Sequence, residues 1–315
     1  MKKLLGLFLV LSYAVTSEAQ IKQAYQRAKQ AVTGSAKFAQ LHYFPKQWET
    51  DLQIGYRYEN LGLILKSSTA TIADTDQSIS VIESSVSLGL LDSLFAQIEW
   101  DYEVSKVVSY NQPAGQASNK YLGAGEPTLS VNYRLVNADS FKLDTKLGYQ
   151  PSFGDLQDAD ATHDGNNLLG GPTAVIGAKA VALITDNSQI ALDVTYQNFG
   201  EATEIDQITK EKTTIDAHNQ LVFQLSTLTE LTNDLFFGLQ LDVINIDAYD
   251  RHGLTTTEIG TTSGRVLNLI GKYEFTPDSL INADVGYVLD YKGKALNFDL
   301  VADGYSAAIS YAVRF

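Results

Sequence analysis

Residues 94–104 read LFAQIEWDYEV. Leu94, Ala96, Ile98, Trp100, Tyr102 and Val104 alternate with Gln97, Glu99, Asp101 and Glu103. A period of two sends the first set to one face of a strand and the second to the other. The polar face is unusual, because it carries a carboxylate at every second position from 99 to 103. A soluble sandwich buries its apolar face against a second sheet. A membrane barrel turns that face outward to lipid and encloses the polar one. One strand fits both architectures, so the decision rests on how often the pattern recurs and how its copies are joined.

It recurs along almost the whole chain. Upstream, Trp48, Thr50, Leu52, Ile54, Tyr56 and Tyr58 alternate with Glu49, Asp51, Gln53 and Arg57. Over 78–90 the phase slips near Ile82, as a β-bulge would make it do. Downstream, the same alternation is predicted over 128–135, 141–150, 173–183, 190–197, 221–225, 235–243, 267–274 and 281–289. The chain closes on YSAAISYAVRF, residues 305–315, with Tyr305, Ala307, Ile309, Tyr311, Val313 and Phe315 in one phase. That ending resembles the signal by which outer-membrane barrels engage their insertion machinery, which makes that machinery an expected partner through Phe315. The expectation is twelve antiparallel strands.

The joints between these segments alternate in length. Short ones fall at Leu91-Asp92-Ser93, Asn137-Ala138-Asp139, Thr185 to Ser188, Glu230 to Asp234 and Thr276-Pro277-Asp278, with the Asn, Asp, Pro and Ser that tight turns use. Long loops are expected over about 60–77, 109–126, 152–171, 200–218, 245–263 and 290–304. A sandwich has no reason to obey such a rule. A transmembrane antiparallel β-barrel does, with short periplasmic turns and long extracellular loops. Aromatic residues near strand ends, among them Trp100, Tyr133, Tyr149, Tyr196, Tyr287 and Phe315, suit the interfacial girdles of such a barrel.

Met1-Lys2-Lys3, an apolar run from Leu4 and the small-x-small step Ser17-Glu18-Ala19 predict a secretory signal peptide over 1–19. Residues 20–47 are expected to be a periplasmic leader containing a short basic helix. A plug inside the lumen is the other reading of this stretch. The barrel is expected over 48–315. The absence of cysteine rules out disulfides and thiolate chemistry. A net charge of −14 argues against nucleic-acid binding.

An enclosed polar face lines a lumen. The candidate lumen-lining residues are Asp51, Arg57, Glu99, Asp101, Glu103, Arg134, Lys142, Asp144 and Lys146. Acids gather on the first and third strands and bases on the fourth to sixth, which could set a field across a solute path or fill a narrow barrel with static ion pairs. The expected function is a channel or transporter for small polar or amphipathic solutes. The alternative is a non-conducting structural or adhesive barrel. Catalysis, for instance lipid hydrolysis, needs a serine beside a positioned histidine, and the sequence offers only Asp216 near His218. No cofactor is expected. Outer-membrane lipid is the expected surrounding partner. Asp155, Asp158, Asp160, Asp164 and Asn166 crowd together, and Asp160-x-Thr162-x-Asp164-Gly165 echoes the start of a calcium loop, but Gly171 stands where its last ligand, a glutamate, would be, and a solvated acidic loop is the favoured reading.

The stretch Gly123-Ala124-Gly125-Glu126-Pro127-Thr128-Leu129, followed by Tyr133-Arg134-Leu135, resembles a strand motif of the outer-membrane transporters grouped with the meta-pathway of phenol degradation. Tyr149-Gln150-Pro151-Ser152-Phe153-Gly154-Asp155 is similar to a strand end of the same family. Glu126 replaces an aspartate, and Phe153 is an extra residue. The resemblance implies a barrel that admits small, often aromatic molecules.

Overall fold

The computed structural model describes residues 37–67, 71–112, 115–157, 163–206, 210–253, 256–295 and 298–315. The expected signal peptide and the leader helix fall outside the described residues. In chain order the strands are β1 (Thr50–Lys66), β2 (Thr71–Leu91), β3 (Leu94–Gln112), β4 (Gly115–Ala124), β5 (Thr128–Asn137), β6 (Phe141–Gln150), β7 (Leu156–Gln157), β8 (Thr173–Thr185) and β9 (Ser188–Phe199). They continue with β10 (Ala202–Ile205), β11 (Lys212–Ile215), β12 (His218–Glu230), β13 (Leu235–Ile246), β14 (Tyr249–His252), β15 (Thr256–Ile259), β16 (Thr262–Thr276), β17 (Ser279–Ala295) and β18 (Phe298–Arg314).

Twelve of these form a closed antiparallel barrel. Each pairs with its neighbours through β1, β2, β3, β5, β6, β8, β9, β12, β13, β16, β17 and β18, and β18 returns to β1 from Asp51↔Arg314 to Lys66↔Asp299. Closure matters because lipid offers no hydrogen bonds to an open sheet edge. The outward positions are the apolar phase of the sequence: Leu52, Ile54, Trp100, Val131, Leu147, Leu225, Val285 and Ile309 are all exposed, Leu147 by 63%. Outside a membrane this inversion of the usual burial would be untenable. The protein is an outer-membrane β-barrel, and its five tight turns mark the periplasmic end by the rule of that fold.

Some expectations need correcting. The stretch 60–77 is mostly not loop: β1 runs to Lys66 and β2 starts at Thr71, so the two arms stay hydrogen-bonded beyond the alternating segment. Likewise β3 runs to Gln112 against β4, and β17 and β18 leave only 296–297 between them. About ten tilted residues span a bilayer. The 21 residues of β2 therefore project past it, where neither face meets lipid and alternation is no longer selected. Trp48 is not a strand residue either. It has φ 67°, and the strand begins at Thr50. The bulge expected near Ile82 lies in the partner strand: Ser80 and Val81 pair with Ser105 and Glu103, which leaves Val104 of β3 as the extra residue, while β2 stays paired with β1 without a break there, so Val81 turns inward and Ile82 outward as ordinary strand neighbours.

The largest buried apolar cluster is at the short-turn end, inside the barrel. Phe38 and Ala39 pack there on Leu228, Phe236, Leu280 and Ala312, with Leu41 and Tyr43 alongside. Ala39 has no exposed surface. The segment 37–49 therefore crosses the periplasmic mouth before the chain enters β1. It leaves past Gly89, where a Cβ would lie 1.7 Å from the Lys46 carbonyl oxygen, so no larger residue fits there.

Candidate functional site

The lumen contains a cavity of about 900 Å³. Leu41 of the crossing segment contributes to its lining, together with Arg57, Glu83, Lys179, Asp193, Asp242, Lys272 and Asp284 from the barrel wall. Amides and hydroxyls fill the intervals. Asp242, for example, accepts hydrogen bonds from Gln224 Nε2 at 3.0 Å, Gln240 Nε2 at 3.1 Å and Asn268 Nδ2 at 2.8 Å. A hydrated lumen tolerates such a surface, whereas a dry core does not.

The floor is held by pairing the backbone of 37–44 with inward side chains. Ala39 N–H donates to Glu274 Oε1 at 2.7 Å, Leu41 N–H to Gln189 Oε1 at 2.9 Å, and Lys272 Nζ to the Ala39 carbonyl at 3.1 Å. Arg134 donates to the His42 carbonyl at 2.9 Å and lies 4.4 Å over the Phe44 ring, which stacks edge-on against Phe95 at 4.7 Å. Tyr43 donates to Asp51 Oδ1 at 2.9 Å, and Lys37 Nζ meets Glu230 at 2.7 Å. Burial pushes His42 below the ordinary imidazole value. The Gln189 hydrogen bond opposes this, and nearby Lys142, Arg134 and Lys179 add to the lowering.

The nine residues marked from the sequence divide four ways. Arg57 lines the cavity and pairs with Glu83 at 2.6 Å and with Glu59. Asp51, Arg134 and Asp144 serve the floor, with Arg134 Nε 2.7 Å from Asp144. Lys142 sits at the short-turn rim, its ammonium 2.6 Å from the Ala138 carbonyl. Lys146 closes on Glu99 at 2.6 Å, which leaves Asp101 and Glu103 as the acids on β3 without an ion pair among the described residues.

Glu99 and Asp101 line a second pocket of about 430 Å³, with Gln53, Glu83, Gln97, Trp100, Glu126, Thr128 and Gln150. It lies at a seam in the wall. β3 pairs with β5 up to Glu99 and with β4 from Tyr102, and Gly125-Glu126-Pro127 interrupts the ladder between them. Proline cannot donate to a ladder. The gap is bridged by Gly125 N–H to the Asp101 carbonyl at 3.0 Å and by Trp100 Nε1 to the Gly125 carbonyl at 3.1 Å. A Cβ at Gly125 would lie 2.4 Å from Asp101 Oδ1, so a larger residue there would push the Asp101 carboxylate aside. The loop after β6 folds onto this seam: Leu169 N–H donates to Glu126 Oε2 at 3.0 Å, and the Asn167 amide lies 3.3 Å from both Glu103 oxygens.

At the long-loop end, His218 stacks between Phe199 and Tyr249 at 4.9 and 4.3 Å, and its Nδ1 meets the Asp216 backbone oxygen rather than the carboxylate. His252 is the ring that reaches the Asp216 carboxylate, at 3.3 Å, and Asp250 joins them with all three ligand atoms within 4.8 Å. This partly exposed trio has donors that could hold a divalent cation. Of the acidic loop, Asp158 and Asp160 lie outside the described residues. Asn166 closes on Gln157 N–H at 2.9 Å and on the Asp155 carbonyl at 3.1 Å.

Sequence reasoning missed the floor contacts of His42, Tyr43 and Phe44, which belong to no strand. It noted Glu126 only as a motif departure.

Among solved structures, the chain is similar to an outer-membrane channel from Pseudomonas putida F1, with TM-score 0.60 and 11% identity over 89% of this chain and 100% of that one. It is also similar to a variant of the monoaromatic hydrocarbon channel TodX (0.47; 10% identity; 86% and 91% covered). A third is the translocator domain of the autotransporter NalP from Neisseria meningitidis (0.47; 11% identity; 94% and 96% covered). Only the first bears on the argument, and at that identity it supports the fold. No family model and no curated protein sequence matches the chain.

Proposed function

We propose that the protein is an outer-membrane channel for small polar or amphipathic solutes, favouring cations, and that it is kin to the phenol-degradation transporters its 123–135 and 149–155 stretches resemble. The observation that carries this reading is the charged, amide-rich cavity of about 900 Å³ enclosed by the barrel wall. A structural barrel of this width has no need of so large a polar void. Passage requires the 37–49 segment to yield or to leave a gap beside it, since it crosses the periplasmic mouth. The likeness to the P. putida outer-membrane channel is consistent with a channel role.

A second reading has its own support. Three ion pairs, Arg57–Glu83, Lys146–Glu99 and Arg134–Asp144, knit the wall as a static network would. Planar-bilayer recordings separate the two. A channel conducts and prefers cations, and Asp101→Asn with Asp284→Asn weakens that preference without loss of folding, because neither acid has an ion-pair partner among the described residues. The absence of conductance from wild type, and from a protein lacking 37–47, would end the channel reading.

A further inference from the structure

We propose that the pocket at the seam between β3 and β5 binds a small organic cation, an ammonium or guanidinium group carried on a short chain. This rests on the channel reading, and it names the class of solute the path selects.

Four carboxylates line the pocket: Glu83, Glu99, Asp101 and Glu126. The wall neutralises two of them, Glu83 through Arg57 and Glu99 through Lys146. Asp101 and Glu126 form no ion pair among the described residues. Glu126 is the decisive group. It is 2% exposed, and its Oε2 takes the Leu169 N–H, but its Oε1 is buried with no hydrogen-bond partner among the described residues. Buried polar atoms in folded proteins are nearly always satisfied, so an orphan carboxylate oxygen beside a pocket calls for a missing donor. A cation bearing N–H groups supplies both the donor and the charge.

Two features favour an organic cation over a metal ion. Gln53, Gln97, Gln150 and Thr128 provide neutral acceptors and donors around the acids, as sites for polar organic ligands do. The carboxylates are also too dispersed for a metal: among the described residues, the one group of three such ligands compact enough is Asp216, Asp250 and His252, at the far loops. About 430 Å³ is room for a ligand of diamine size.

The test is calorimetric titration of the detergent-solubilised full chain with 1,4-diaminobutane, and with 1,4-butanediol as its uncharged counterpart. The diamine binds, and more weakly as salt rises; the diol does not. Glu126→Gln and Asp101→Asn each weaken diamine binding tenfold or more, while Asp186→Asn, exposed in the turn between β8 and β9, leaves it within twofold. Equal binding of diamine and diol, no binding of either, or unchanged binding by both seam variants would overturn the proposal. If Glu126→Gln fails the heat-modifiability check for folding, Asp101→Asn carries the test alone. Bilayer recordings on the same preparations keep the two readings apart. Binding without conductance overturns the channel and leaves the site, and conductance without binding does the reverse.

Discussion

Phe38 is the residue on which closure of the periplasmic mouth turns. Its ring is 8% exposed, packs with Leu228, Phe236, Leu280 and Ala312, meets Tyr43 edge-on at 4.9 Å, and lies 5.5 Å from the Arg314 guanidinium. A phenylalanine buries about 150–250 Å². At about 25 cal/mol per Å², and allowing for the surface alanine still buries, Phe38→Ala removes about 3 kcal/mol from docking of the segment. At about 1.4 kcal/mol per decade, that is a shift of about a hundredfold towards the undocked state. Amide hydrogen exchange reads it directly, because the Ala39 and Leu41 N–H groups are held by Glu274 and Gln189 and have no strand partner. Their exchange should accelerate by about that factor, while amides in mid-strand β12 stay protected, since the ladder does not depend on Phe38. If Ala39 and Leu41 exchange at the wild-type rate in a folded Phe38→Ala protein, burial of this ring does not hold the segment, and the reasoning fails.

Further consequences can be measured in the same protein. Arg134→Met leaves Asp144 unpaired where the two side chains are 8% and 14% exposed, and should cost about 3 kcal/mol in thermal or urea unfolding, with Arg134→Met/Asp144→Leu recovering most of it. Leu225→Arg, outward and mid-strand, should cost about 2–4 kcal/mol of unfolding free energy in lipid vesicles, because the charge must reach the bilayer midplane. Acid should loosen the floor through His42. Its pKa when docked is lowered, so the neutral ring's contribution is complete above the ordinary value of 6.5 and declines as pH falls through the docked value. The protection factor of the Leu41 amide, its exchange rate corrected for the intrinsic slowing in acid, should therefore fall between pH 7.5 and 5, and His42→Gln should abolish that fall.

How much of this was legible beforehand follows from the physics of each part. The wall was readable because lipid on one side and water on the other impose a period of two, and tight turns impose their own residues. Hence Leu129, Leu147 and Ile309 could be oriented without coordinates. Where strands pass beyond the bilayer that selection lapses, and 60–66 and 71–77 looked like loop although their backbones are paired. The charges were assigned to the inward face, but not to partners. Lys146 reaches Glu99 two strands away, across β5, and Arg134 leaves the solute path to hold the floor.

Sequence by itself determined the barrel, its strand number and which face meets lipid, because those depend on local alternation and turn chemistry. Tertiary structure alone decided what fills the enclosed space. Residues 37–44 carry no period and could lie in the periplasm or in the lumen. Only closure of the sheet brings Leu228, Phe236, Glu274 and Ala312 around them. The same closure sets Glu126 beside Asp101 at the seam, an adjacency that depends on a broken ladder and a loop folded back from 163–172. Long-range contacts of this kind leave no pattern along the chain, since their partners are fixed by the geometry of the closed wall.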